Sequence, residues 1–177
     1  MVEPVPYRPD EILDVLERHR VRYVIIGGLA AEIRGSPYFT RDVDVTPARN
    51  RENFRNLAAA LRELEAKLRV PDLEEPLEVP LDELSFDQGT TWTYVTKHGN
   101  FDVALLPDGT QGYEDLRRGA TRERITDSLE VSVASLADVI RSKEAAGREK
   151  DRAVLPTLRQ VLERSRQRER EGPGLEL

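Results

Sequence analysis

Val21-Arg22-Tyr23-Val24-Ile25-Ile26-Gly27-Gly28, followed a short helical stretch later by Thr40-Arg41-Asp42-Val43-Asp44-Val45, is the part of the chain whose reading decides the fold. Val21 to Ile26 is an almost unbroken β-branched and aromatic run, which predicts a buried strand. Gly27-Gly28 ends that strand and Leu29 to Arg34 begins a helix. Gly35-Ser36-Pro37 then closes the helix and turns the chain into a second strand. Residues i and i+2 of a strand share a face, so Asp42 and Asp44 lie together while Val43 and Val45 point to a core. Two adjacent carboxylates repel unless something positive neutralises them. A divalent cation suits the task, because Mg²⁺ is commonly held on one or two carboxylates plus substrate phosphates.

Outward from this stretch, Pro9-Asp10 before Ile12, Leu13, Val15 and Leu16 reads as an opening helix with acids in its first turn. Asn50 is a plausible N-cap for a long helix in which Phe54, Leu57, Ala58, Leu61 and Leu64 recur at helical spacing. Val70 to Leu84, rich in Pro, Glu and Leu without a clean period, reads as an irregular loop or edge excursion. Thr91 to Thr96 and Phe101 to Leu106 flank His98-Gly99-Asn100 and predict a hairpin. Ile125 and Leu129 to Val133 read as shorter strands, before helices over Leu136 to Ala146 and Arg148 to about Arg164. The pattern implies an α/β (α+β) fold with a small mixed sheet, helices on one side and a helical C-terminal segment closing the site. The organisation is a core over 1–134, C-terminal helices over 135–165 that complete the site, and a flexible tail over 166–177.

Length and composition narrow the function. At 177 residues, with 38% hydrophobic and 34% charged, the chain suits one well-buried domain and not a disordered segment. No run approaches the roughly 18 apolar residues of a membrane span, and the first residues lack the pattern of a signal peptide, so a cytoplasmic location is expected. With no cysteine, a metal must sit on oxygen ligands or on the two histidines. His19 and His98 have no partner at ligand spacing. The net charge of −6 argues against coating nucleic acid through bulk charge. It leaves room for a local basic strip, and Arg34, Arg41, Arg49, Arg51 and Arg55 either meet phosphates or are solvated on helix surfaces.

Three further residues carry a chemical signal. In the second hairpin strand Phe101, Val103 and Leu105 share one face, which leaves Asp102 as a third acid on a strand that otherwise reads as core. Leu136, Val139, Ile140 and Lys143 follow helical spacing, so Lys143 stands where an apolar residue is expected. A lysine there needs a snorkelling path or an anionic partner, either a triphosphate or Asp151. Asp151 itself lies on the inward side of its helix, where an acid in the first turn is stabilised by the helix dipole whether or not it serves a site. Glycines at Gly27-Gly28 allow backbone N–H groups to approach phosphates, with a favourable field at the helix start. Trp92 and Tyr94 either stack on a base or pack on the sheet, and packing is the simpler reading.

Tyr23-Val24-Ile25-Ile26-Gly27-Gly28-Leu29-Ala30, Arg34-Gly35, Thr40-Arg41-Asp42-Val43-Asp44 and Phe101-Asp102-Val103 together resemble the nucleotidyltransferases of the DNA polymerase beta superfamily, in particular the small AbiEii and MenT type. Ser142 to Asp151 extends the resemblance, which is weak from Val70 to Asp87 and absent from the tail. It implies nucleotide-phosphate binding by Gly27 and Gly28 and Mg²⁺, or Mn²⁺ in its place, on Asp42, Asp44 and Asp102. Lys143 would hold the triphosphate, with Arg41 as an extra cation and Asp151 as a further nucleotide-site residue. Thr40 corresponds to a hydroxyl that is modified in related toxins, although a threonine opening a strand is the plainer reading.

The resemblance implies transfer of a nucleoside monophosphate from an NTP to an acceptor hydroxyl, with release of pyrophosphate. Toxins of this type modify the acceptor end of tRNA and are paired with an antitoxin partner. Alternatives are a nucleotidyltransferase acting on a small molecule or a protein, or a nucleotide-binding or antitoxin-interacting module without catalysis. The complete acid triad counts against the last.

Overall fold

The computed structural model describes residues 4–172. In chain order the elements are α1 (Pro9–Arg18), β1 (Tyr23–Ile26), α2 (Gly27–Ile33), β2 (Asp42–Pro47), α3 (Arg51–Glu63), β3 (Lys67–Leu68), a 3₁₀ turn (Glu83–Phe86), β4 (Thr91–Thr96), β5 (Gly99–Ala104), α4 (Tyr113–Gly119), β6 (Thr121–Thr126), β7 (Leu129–Val133), α5 (Leu136–Ala146) and α6 (Glu149–Glu171). All seven strands join one sheet in the order β3-β4-β5-β2-β1-β7-β6. The sheet is mixed: β1 runs antiparallel to β2 and parallel to β7, and β2 runs parallel to β5.

The alternation read from the sequence divides the central strands into two faces. Val43, Val45, Phe101 and Val103 are fully buried. Their face is covered by α1, which supplies Ile12, Leu13, Val15 and Leu16 and packs against α3. The Tyr23 hydroxyl donates to Glu17 of α1 at 3.0 Å on this side. Each fully buried Val, Leu or Ile contributes about 1.5–3 kcal/mol, so this layer supplies much of the cohesion. On the other face Ile26 lies opposite Asp44, and Asp44 lies opposite Asp102, one row across β1, β2 and β5. Helix α5 packs on α2 and α6 beside that row.

Asn50 caps α3 as expected, its side chain accepting from the Asn53 backbone N–H at 2.9 Å. Asn53 is itself a buried clamp. It accepts from the Arg22 N–H at 2.7 Å and donates to the carbonyls of Arg22 and Ala48 at 2.9 and 2.8 Å. The start of β1 is thereby tied to the end of β2 and to α3.

Four elements differ from the sequence reading. The hairpin closes earlier than expected, with Thr96 paired to Gly99, because the Thr96 hydroxyl donates to the Gly99 carbonyl at 2.7 Å and accepts from the His98 N–H. Val70 to Leu84 is largely irregular, but β3 joins the sheet edge just before it, and Leu77 folds back to bridge Leu68. Helix α4 has no forerunner in the sequence pattern, since its one buried residue, Leu116, cannot set a period. Helix α6 continues through Glu171, into the segment expected to be flexible, and residues 173–177 lie outside the described residues. Its last turns are polar all round, with a Gln167 to Glu171 side-chain bond at 3.1 Å at helical spacing. Among the described residues no helix is long and apolar enough to cross a membrane.

Replacing Asn53 with Ala takes this partner from the part-buried Arg22 N–H and the buried Ala48 carbonyl, at about 1–3 kcal/mol for a buried group left unpaired. The Asn53→Ala protein should unfold at a clearly lower urea midpoint with an unchanged slope, whereas an unchanged midpoint would show the clamp to be dispensable.

Candidate active site

The central row of the sheet brings the acids together. Asp42 and Asp44 stand on β2, and Asp102 on β5 is the direct register partner of Asp44. Asp42 pairs with Asn100, whose side-chain amide donates to the Asp42 carboxylate at 3.3 Å. The glycine turn lies against this row. Gly27 has φ +65°, and a Cβ at that position would run into the Asp44 carboxylate. A Cβ on Gly28 would come within 3.0 Å of the Thr40 hydroxyl oxygen. The two glycines therefore give Asp44 and Thr40 the room to pack against the turn, a requirement of the protein's own packing that the sequence reading did not include.

The acids and the Gly27-Gly28 turn line a cavity of about 420 Å³, the size of a small-molecule site. Helices α5 and α6 complete the wall with Lys143, Arg148, Lys150 and Asp151. Ser135 caps α5 by accepting from the Asp138 N–H at 3.1 Å, and Gly147, in the left-handed region at φ +62°, ends it. The sharp turn sets Lys143 against Asp151, Nζ to Oδ1 3.3 Å, and Arg148 against the other carboxylate oxygen, Nε to Oδ2 2.7 Å. The Asp151 side chain is 1% exposed. Of the two partners open to Lys143, the structure pairs it with Asp151 while leaving it on the cavity wall.

Electrostatics separate the two groups of acids. Burial pushes the Asp44 carboxyl well above its usual range, and the neighbouring Asp102 and Asp42 push it further. Asp102 is also raised, chiefly by burial, with the Thr93 hydroxyl and Lys150 pulling it back. For Asp151 burial acts upward, but Arg148 and Lys143 outweigh it and the carboxyl lies below its usual range. Among the described residues neither Asp44 nor Asp102 has a cation in direct contact, only the more distant Lys143 and Lys150; Asp151 has two in contact.

Asp42, Asp44 and Asp102 have the donor chemistry that a hard divalent cation prefers. They offer oxygen donors alone, and Asp102 Oδ1 is buried without a hydrogen-bond partner. Among the described residues no group of three or more His, Cys, Asp or Glu side chains is arranged so as to hold a metal ion by itself. An open set of carboxylates completed by phosphate oxygens is the usual arrangement for Mg²⁺.

Other residues considered from the sequence are placed elsewhere. Arg41 is exposed and stands outside the cavity wall. Arg34 braces the sheet, donating to the carbonyls of Ala134 and Val133 at 3.0 and 2.8 Å and pairing with Glu123. Arg51 and Arg55 face Glu83, and His19 meets Glu63. Trp92 packs edge-on against Phe86 at 5.3 Å, and Tyr94 is buried. Thr40 lines the cavity. Sequence reasoning took in the stretch from Ser142 to Asp151 but gave no role to Arg148 or Lys150, and it passed over Tyr38, Phe39 and Asp108 on the same wall. Their signal was proximity in sequence to acids already singled out.

No protein-family profile and no curated protein sequence matches the chain. Among solved structures it is similar to the lincosamide antibiotic adenylyltransferase LnuA in its lincomycin-bound form, with a TM-score of 0.57 and 14% identity over 86% of this chain and 95% of the other. It is also similar to a presumed nucleotidyltransferase of Thermotoga maritima, with a TM-score of 0.51 and 19% identity over 93% of this chain and 99% of that one. The fold is that of the nucleotidyltransferases. At such identities the likeness concerns architecture, and function must be argued from the site.

Because Asp44 and Asp102 titrate above their unfolded values, these two sites hold more protons in the folded protein than in the unfolded chain above the ordinary aspartate pKa of 3.8. Their contribution to stability is present below that value and lost as pH rises through the raised pKa. Asp44→Asn removes one of the charges, so in EDTA it should melt higher than wild type near neutral pH, with the gap closing toward about pH 4. Mg²⁺ should raise the wild-type melting temperature more than that of the variant. An equal Mg²⁺ response from both would remove Asp44 from the metal set.

Proposed function

We propose that this protein transfers a nucleoside monophosphate from an NTP to an acceptor hydroxyl and releases pyrophosphate, using Mg²⁺ or Mn²⁺ held by Asp42, Asp44 and Asp102. The observation that carries the reading is the row of carboxylates on β2 and β5, which faces a cavity shared with the Gly27-Gly28 turn and three cationic side chains. When bound, the metal neutralises the triphosphate and the leaving pyrophosphate.

The chain's own residues supply positioning and charge, which is most of what phosphoryl transfer asks of a protein. Lys143, Arg148 and Lys150 attract the triphosphate, and Gly27 and Gly28 keep side chains out of its path. Asp151 holds Lys143 and Arg148 at the cavity wall, so its role is to position these cations. Asp102, with one oxygen unpaired and its proton affinity raised, is the group suited to orient the acceptor hydroxyl and take its proton.

For the acceptor, the motif resemblance to the AbiEii and MenT type favours the 3′ end of tRNA, with an antitoxin as partner. A small-molecule hydroxyl is the second reading. It is supported by the position of Arg41 outside the cavity, by Asp108 on its wall, and by the antibiotic substrate class of LnuA, whose fold the chain shares.

The test is transfer from each α-labelled NTP to total RNA, to a protein extract and to a mixture of small hydroxylated compounds. Wild type should label one fraction, and Asp42→Ala and Asp44→Ala should reduce the label to background. Transfer that survives both substitutions overturns the site. Label confined to small molecules selects the second reading, and no transfer to any acceptor leaves a binding module.

A further inference from the structure

The cavity wall includes side chains that the reaction as described leaves unused. Tyr38 and Phe39, immediately before the strand with the acids, line it together with Val154 and Leu158 of α6. Phe39 is 90% exposed, far more than any other large apolar side chain described; the next, Leu84, is 56% exposed. A phenyl ring left in water at the mouth of a site gains nothing from the protein's own packing, which sets it apart from the buried Phe86 and Phe101.

The segment bearing it is tied down. The Tyr38 hydroxyl is 3.2 Å from the Thr157 hydroxyl of α6, and the Tyr38 N–H donates to the Ser36 side chain at 3.2 Å. Pro37 restricts the backbone between them. Just past Phe39, Thr40 rests against Gly28. The aromatic pair is thus held between the glycine turn and α6, where Lys143 and Arg148 also stand on the wall. The cavity wall carries both cationic side chains and aromatic and aliphatic ones, the two kinds of surface that the phosphates and the base of a nucleoside triphosphate ask for.

We infer that Phe39, with Tyr38 behind it, is the stacking platform for the base of the incoming NTP, with Val154 and Leu158 as the apolar wall beside it. The inference rests on the nucleotidyltransferase reading and adds to it a residue that positions the base. The nearby hydroxyls, Ser36 and Tyr38, are already bonded within the loop and to α6. The base is therefore held by its face, a mode that tolerates different bases.

The test compares two ligands by calorimetry in Mg²⁺: α,β-methylene-ATP, which lacks the cleavable bridge, and inorganic tripolyphosphate, which lacks the base. Stacking of one base is worth about 5- to 150-fold in affinity. Phe39→Ala should lose about tenfold or more for the ATP analogue and nothing for tripolyphosphate, while Phe39→Trp retains analogue binding. Thermal melts identify the folded variants. Phe39→Ala binding the analogue as wild type does, or losing both ligands equally, overturns the inference alone. An unchanged analogue affinity with a raised KM for the acceptor would assign the ring to the acceptor and overturn it too. Wild type that binds neither ligand overturns the nucleotidyltransferase reading along with it.

Discussion

Asp44 and Asp102 face one another on two hydrogen-bonded strands at the centre of the sheet, and the arrangement around them answers the problem this creates. Like charges at close quarters in a partly buried setting raise each other's proton affinity and strain the metal-free fold. The sheet tolerates the pair because its other face, with Val43, Val45, Phe101 and Val103 buried under α1, supplies cohesion independent of the acids. Stability and chemistry are thus assigned to opposite sides of the same two strands. A one-residue slip of β2 against β5 would exchange them, so the apolar alternation also secures the register of the site.

The surroundings of the row follow from the same constraint. Gly27 lacks a side chain where one would strike Asp44, and the helix that starts there leaves the acids accessible on one flank. Positive charge comes from α5 and α6, held back from the acids by Asp151, which binds Lys143 and Arg148 at once. Without Asp151 two cations would be free to collapse onto the unpaired carboxylates. With it they remain on the wall of an open cavity, where the phosphates of the proposed nucleotide would meet them.

Much of this was legible along the chain wherever a short-range rule applies. The alternation in Asp42-Val43-Asp44-Val45 and in Phe101-Asp102-Val103 set the faces of β2 and β5, and the Asn50 cap and the apolar spacing of α3 set a helix. Lys143 announced itself by breaking an apolar stripe. The misses have equally local causes. Helix α4 buries one side chain, and the end of α6 buries none, so neither leaves a period to read. The hairpin turn shifted because a threonine hydroxyl, and not the glycine, closes it. Arg148 and Lys150 look like any surface cations until a helix–helix turn brings them to the cavity.

By itself, the sequence determined which side chains share a face, because that depends only on backbone periodicity within one strand or helix. It also determined that cysteine chemistry has no part, and that a glycine turn precedes the acid pair. The tertiary structure decided which strands become neighbours, and so that Asp44 meets Asp102 across a parallel pairing between residues 58 positions apart in sequence. It decided that Lys143 has Asp151 as a partner, that Arg41 turns away, and that Phe39 stands uncovered at the cavity mouth. Each of these depends on contacts between segments distant in sequence, and their geometry exists only once the sheet and the last two helices have packed.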